Sequence, residues 1–188
     1  MRWMGEEAPF KDDSMTEELA KDIDRLNVIT ARFSQIGLEG KLSEEIVANV
    51  IEENIDYLKC RTSSYVTYSM EDFTDGASAV MNISLMGWVI ENICKNAIDA
   101  MDGRGSILIS ISKSKHNICI DIKDSGKGIT KSKLKSIFKP GFTTKKRGWG
   151  LGLTLVKRIV EEYHGGKVYV LQSGVDKGTT FRIELKSS

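Results

Sequence analysis

The chain has 188 residues, of which 40% are hydrophobic and 28% charged, and its net charge is +1. Those proportions suit a folded chain, either one ordinary domain with an appendage or two small domains, and exclude a disordered one. A net charge so near zero excludes bulk attraction to nucleic acid or to an anionic membrane, so any basic site must be local.

No apolar run approaches the roughly 18–20 residues that a membrane helix needs. Residues 1–13 lack the apolar core of a signal peptide. A cytoplasmic location is therefore expected. Cys60, Cys94 and Cys119 are odd in number and form no CxxC pair, which fits reduced thiols better than disulfides or a metal site. His116 and His164 are the only histidines, too isolated for a typical zinc site.

In chain order, residues 1–14 carry no clear period. Over residues 15–36 the apolar side chains Leu19, Ile23, Leu26, Ile29, Phe33 and Ile36 recur in steps of four and three. That spacing predicts a long helix with a heptad-like seam, suited to partner helices or to a weak homodimer, or else a plain surface helix. Gly37 and Gly40 end it, and Ser43 with Glu45 and Ile46 opens a second helix. Residues 64–70 are β-branched and aromatic and predict a strand. A helix is expected over 83–101, then strands at 106–112 and 117–123 joined by a turn at 113–116. A short helix near 131–138, a helix over 150–163 and strands at 167–172 and 178–185 complete the order. Strand–helix–strand units do not alternate throughout, which excludes a doubly wound fold. The expected class is α+β: a two-layer sandwich, its mixed and mostly antiparallel sheet covered by helices on one face. Residues 1–40 form an N-terminal helical part and residues 41–188 the main domain.

Three segments carry chemistry. On the helix 83–101, Asn92, Asn96 and Asp99 share one stripe opposite the apolar face. Their oxygens are hard ligands suited to magnesium and the phosphates it carries, although such a stripe is more often a solvated face. Asp124, Gly126, Gly128 and Ile129 follow a strand directly. A carboxylate there can accept a hydrogen bond from an adenine amino group, while the glycines let backbone approach closely; a plain glycine turn is the simpler alternative. Gly148, Gly150 and Gly152 alternate at a helix start, with Leu151 and Leu153 between and after them. Backbone N–H groups at such a point suit phosphate. Thr143, Thr144, Lys145, Lys146 and Arg147 precede them and supply hydroxyls and cations, or form a solvated basic loop.

In this order the segments resemble the ATP-binding domain shared by gyrase, the ninety-kilodalton heat-shock chaperone, histidine kinases and MutL, over about residues 42–186. The resemblance implies a Bergerat-type fold, ATP as ligand and Mg2+ as cofactor. It matches 91–100 to the N box with Asn96 as magnesium ligand, Asp124, Gly126 and Gly128 to the G1 box, and Phe138 and Phe142 to the F box. Gly148, Gly150 and Gly152 match the G2 box, and Thr179 falls in the final strand motif near adenine.

Hydrolytic members carry a glutamate four positions before the magnesium asparagine. Here that position is Asn92, whose amide cannot act as a general base. The resemblance therefore favours a sensor histidine kinase over a hydrolysing ATPase or a purely binding module. Asp99 and Ala100 stand where many kinases have a basic and an aromatic residue, as in the NtrB-like branch. Residues 1–40 resemble the second helix of a dimerisation and phosphotransfer hairpin. The phosphoacceptor histidine, on a helix in cis or in trans, is not expected among these residues, because neither His116 nor His164 has its surroundings. The implied partner beyond that helix is a response regulator receiver domain.

Overall fold

The computed structural model describes residues 41–145 and 149–188. The expected helix over 15–36, with Lys146, Arg147 and Gly148, lies outside the described residues. Among the described residues seven strands and four helices follow one another: β1 Ser43–Ile46, α1 Val47–Lys59, β2 Val66–Asp72, β3 Ser78–Met81, α2 Ile83–Ala100, β4 Gly105–Ser114, β5 Asn117–Asp124, α3 Lys131–Leu134, α4 Gly152–Arg158, β6 Lys167–Ser173 and β7 Thr179–Lys186. A π-helical turn, Ile159–Tyr163, continues α4.

The main sheet runs in the order β2-β4-β5-β7-β6. Its pairs are antiparallel except β2 with β4, which run parallel. Alternation along the strands decides which face is covered. Ile109 stands opposite Ile122, Ile111 opposite Ile120, Ile120 opposite Ile183 and Ile122 opposite Phe181, so these side chains line one face. All are buried. Each fully buried isoleucine contributes roughly 1.5–3 kcal/mol relative to exposure. Helices α1, α2 and α4 cover that face, with α2 touching both β4 and β5. The two-layer α+β class read from the sequence is thus the observed one.

Several features differ from expectation: β3 is not among the expected strands, and the short helix spans only Lys131–Leu134. Ser43–Ile46 does not open a helix; it pairs antiparallel with β3, Ser43 opposite Met81 and Ile46 opposite Ser78. This register commits the segment to a strand, and α1 starts only at Val47. The last helix begins at Gly152 rather than Gly150, because Gly150 has φ +66° and cannot lie in a right-handed helix.

Helix α2 carries the stripe of polar residues, and both of its ends are fixed. Asn82 caps it, accepting from the Leu85 N–H at 2.9 Å. At the other end the Gly103 N–H donates to the Ile98 carbonyl at 3.0 Å, with φ +78° at the glycine. Leu85, Met86, Val89, Ile90, Ile93, Cys94 and Ala97 form its buried face.

His164 ties the π-helical turn to that helix. The Asn82 backbone N–H donates to its Nε2 at 3.0 Å, which leaves Nδ1 protonated and 2.8 Å from the Ile159 carbonyl. Burial pushes the His164 pKa below its ordinary value, with the Ile159 hydrogen bond opposing. A histidine held neutral on folding stabilises fully above its unfolded pKa of about 6.5, and the contribution is lost as pH falls from there toward the lowered folded value. Thermal melts are expected to show this loss on acidification and a flatter profile in His164→Gln. Equal profiles would remove the tie.

Candidate nucleotide site

The site is built on the middle of α2, the end of β5 and the start of β7. Asp124 ends β5 and is 4% exposed. Its Oδ1 accepts from the Gly126 N–H at 2.8 Å and the Thr179 N–H at 3.2 Å. Both bonds fall on one oxygen, so Oδ2 keeps its accepting capacity for a ligand. Burial raises the Asp124 pKa, and the two backbone hydrogen bonds pull it back.

Glycines let three segments crowd around this carboxylate. The Gly178 N–H donates to the Gly126 carbonyl at 2.9 Å, and a Cβ on Gly178 would fall 1.9 Å from the Asp124 carbonyl oxygen. A Cβ on Gly128 would fall 1.9 Å from the Gly174 carbonyl oxygen. Ser173 completes the cluster: its Oγ accepts from the Ile129 N–H at 2.8 Å and lies 2.9 Å from Thr179 Oγ1. Ser173 was not among the residues singled out from sequence; its position at a strand end, just before a glycine, was the available signal.

The C-terminal end of α2 joins this floor, since the Lys127 N–H donates to the Ala100 carbonyl at 3.0 Å. From there Asp99, Asn96 and Asn92 lead back along one side of the helix, over about 12 Å at 1.5 Å per residue. Asn92 Nδ2 donates to the Trp88 carbonyl at 3.2 Å, and a Cβ on Gly152 would fall 2.7 Å from Asn92 Oδ1. Helices α2 and α4 therefore meet at Asn92. A Cβ on Gly150 would fall 2.6 Å from the Phe142 N, so the loop before α4 lies against the segment that follows α3. Phe138 in that segment packs edge-on against Phe181, centroids 6.4 Å apart.

Lys145 closes the arrangement. Its Nζ donates to Asn96 Oδ1 at 2.8 Å and forms an ion pair with Asp99. Thr143 Oγ1 accepts from the Lys145 N–H at 3.1 Å. Thr144 is exposed, and Leu151 and Leu153 are half-buried at the start of α4. Of the described site candidates singled out from sequence, all but Thr144, Leu151 and Leu153 gather into two groups. Asp124, Gly126, Gly128, Ile129 and Thr179 form one end, and Asn92, Asn96, Asp99, Phe142, Thr143, Lys145, Gly150 and Gly152 form the other.

The donors present fit a magnesium–nucleotide ligand. A buried carboxylate oxygen and a hydroxyl stand at one end. At the other, Asn96 Oδ1 and the Asp99 carboxylate already hold a cation, the Lys145 ammonium. Among the described residues no cluster of three histidine, cysteine, aspartate or glutamate side chains could hold a metal alone. Magnesium here would share its coordination with phosphate oxygens, as that ion commonly does.

Residues 81–188, more than half of the chain, match the family of histidine kinase-, DNA gyrase B- and HSP90-like ATPases. The chain belongs to this family. The family match runs from the last residue of β3 through α2 to the end of β7, so it takes in both ends of the site. Among curated relatives, sporulation kinase E of Bacillus subtilis (strain 168) is 35% identical over 144 residues, 76% of this chain and 19% of its own length. Sensor histidine kinase ZraS of Escherichia coli (strain K12) is 31% identical over 191 residues, 98% of this chain and 40% of its own length. The chain thus spans less than half the length of either relative. Among solved structures, the nucleotide-free catalytic domain of histidine kinase ThkA superposes with a TM-score of 0.70 at 25% identity, covering 78% of this chain and 95% of that one. Within the family, the chain is an ATP-binding domain of the histidine kinase type.

Proposed function

We propose that this chain positions the γ-phosphate of magnesium-bound ATP for transfer to a histidine on a dimerisation helix, for relay to a response regulator receiver domain. The observation that carries the reading is Asn92. It stands one helical turn before Asn96, facing Gly152, where a hydrolytic site needs a carboxylate. An amide cannot take a proton from water at neutral pH, so the bound phosphate waits for another nucleophile. Glu91, the adjacent carboxylate, is held by Lys95 at 2.7 Å.

Roles follow from position. Asp124 Oδ2 accepts from the adenine amino group, with Thr179 beside it. Asn96 holds magnesium, whose chemistry is to neutralise the phosphate charge. Asp99, Thr143, Thr144 and Lys145 surround the phosphates, and backbone N–H groups from Gly150 to Leu153 face them; Lys146, Arg147 and Gly148, outside the described residues, are assigned to the phosphates from the sequence pattern alone. The incoming histidine nitrogen attacks the γ-phosphorus as the bond to ADP breaks, and positioning supplies most of the catalysis. From their sequence pattern alone, residues 1–40, which lie outside the described residues, are proposed as the second helix of the hairpin that presents that histidine, with an apolar seam that favours a weak homodimer. Asp99 and Ala100 support the NtrB-like branch. Among the described residues no helix is long and apolar enough to cross a membrane; the reading places this domain on the cytoplasmic side.

Incubated alone with γ-labelled ATP, the chain is expected to bind nucleotide, hydrolyse it very slowly and keep no acid-labile label. His164 has both ring nitrogens engaged, and His116 lies in the β4–β5 turn. Acid-labile label on either at near one per chain would contradict this.

A further inference from the structure

Lys145 spends its charge in an unexpected place. Its ammonium reaches back to α2, donating to Asn96 Oδ1 at 2.8 Å and pairing with Asp99 Oδ2. The Lys145 and Asp99 side chains are 41% and 54% exposed. Exposed pairs add little to folding, so stability does not account for a lysine held there. What the contact does is put a monovalent cation on Asn96 Oδ1, the oxygen that magnesium needs under the proposed function. An ammonium and a divalent ion cannot share that oxygen, since two cations a few ångströms apart repel strongly.

We propose that Asp99 is a positioning residue: it parks the Lys145 ammonium on Asn96, so that lysine and magnesium exchange places when the metal-loaded nucleotide binds. The inference rests on the nucleotide site proposed above. Magnesium arriving with the phosphates takes Asn96 Oδ1, and the displaced ammonium turns to the phosphate oxygens. Metal-free nucleotide brings no replacement cation. It must draw Lys145 away from Asp99 or do without it, so Asp99 lowers the affinity for metal-free nucleotide and sharpens selection for the magnesium complex.

The test is calorimetric titration of ATP with excess magnesium and with chelator, for the wild type, Asp99→Asn, Lys145→Gln and the double variant. Both side chains are exposed, and matching thermal melts verify that the variants fold. Asp99→Asn is expected to tighten metal-free ATP about two- to fivefold, the size of an exposed ion pair. Lys145→Gln is expected to weaken it, and in that background Asp99→Asn should have no effect. Lys145→Arg, which keeps the cation, should behave like the wild type. An unchanged metal-free affinity in Asp99→Asn, or the same change with and without Lys145, would overturn the parking role. A wild type that binds no nucleotide under either condition would instead overturn the nucleotide site itself.

Discussion

Asp124→Asn is expected to bind ATP roughly 10- to 150-fold more weakly, the equivalent of about 1.5–3 kcal/mol for a charge-assisted hydrogen bond, while folding at least as stably as the wild type. The two effects separate because the two oxygens do different work. Oδ1 accepts from the Gly126 and Thr179 N–H groups, and an asparagine carbonyl can keep both bonds. Under the proposed function Oδ2 accepts from the adenine amino group, and asparagine replaces it with an NH2 group that would meet that group donor to donor. Burial raises the Asp124 pKa, so ionising the carboxylate costs more in the folded state than in the unfolded one. The sign follows: a carboxyl with a raised folded pKa favours the folded state below its unfolded pKa, and that advantage is lost as pH rises through the folded value. A neutral amide removes the cost. Calorimetry and thermal melts on the same preparation check both halves. Unchanged affinity would take Asp124 out of the adenine site.

Gly178→Ala is expected to destabilise the domain severely. At φ +72° an alanine already costs about 1–2 kcal/mol. Here its Cβ would also fall 1.9 Å from the Asp124 carbonyl oxygen. Relief requires moving the end of β5 away from the start of β7, which breaks the bonds that fix the Asp124 carboxylate. A total above about 3 kcal/mol is expected, because strain and overpacking add. Gly76→Ala is the internal control. Gly76 has φ +80° but nothing within 4 Å of its would-be Cβ, so only the conformational cost applies. Denaturant unfolding of the two variants should separate them clearly; equal losses would mean the β5–β7 junction is not tightly packed.

How much of this was legible in the sequence depended on how local the signal was. Helix α2 was readable because its apolar positions recur with helical period and Asn82 and Gly103 punctuate its ends. Strands β4 and β5 were readable from alternation around a short turn. Strands β1 and β3 were not. Ser43–Ile46 is mostly exposed and reads as a helix start, and only pairing with residues about 35 positions away makes it a strand. The parallel β2–β4 pair was hidden for the same reason, since its partners are separated by a strand and a helix. In the site, Asp124 and the asparagine stripe were visible as residue types in order. The use of Ser173 to hold Ile129 and Thr179, and the reach of Lys145 back to Asn96 and Asp99, depend on tertiary placement and carried no local mark.

The central claim is that this site holds ATP for transfer and not for hydrolysis. The fate of the γ-phosphate tests it most directly. The chain is mixed with γ-labelled ATP, magnesium and a separately prepared sensor-kinase hairpin that contains a phosphoacceptor histidine, and label is followed both on the hairpin and as free phosphate. The account predicts acid-labile label on the hairpin histidine, dependent on this chain and lost in Asp124→Asn, with free phosphate released far more slowly. Rapid release of free phosphate with no label on the hairpin would contradict it.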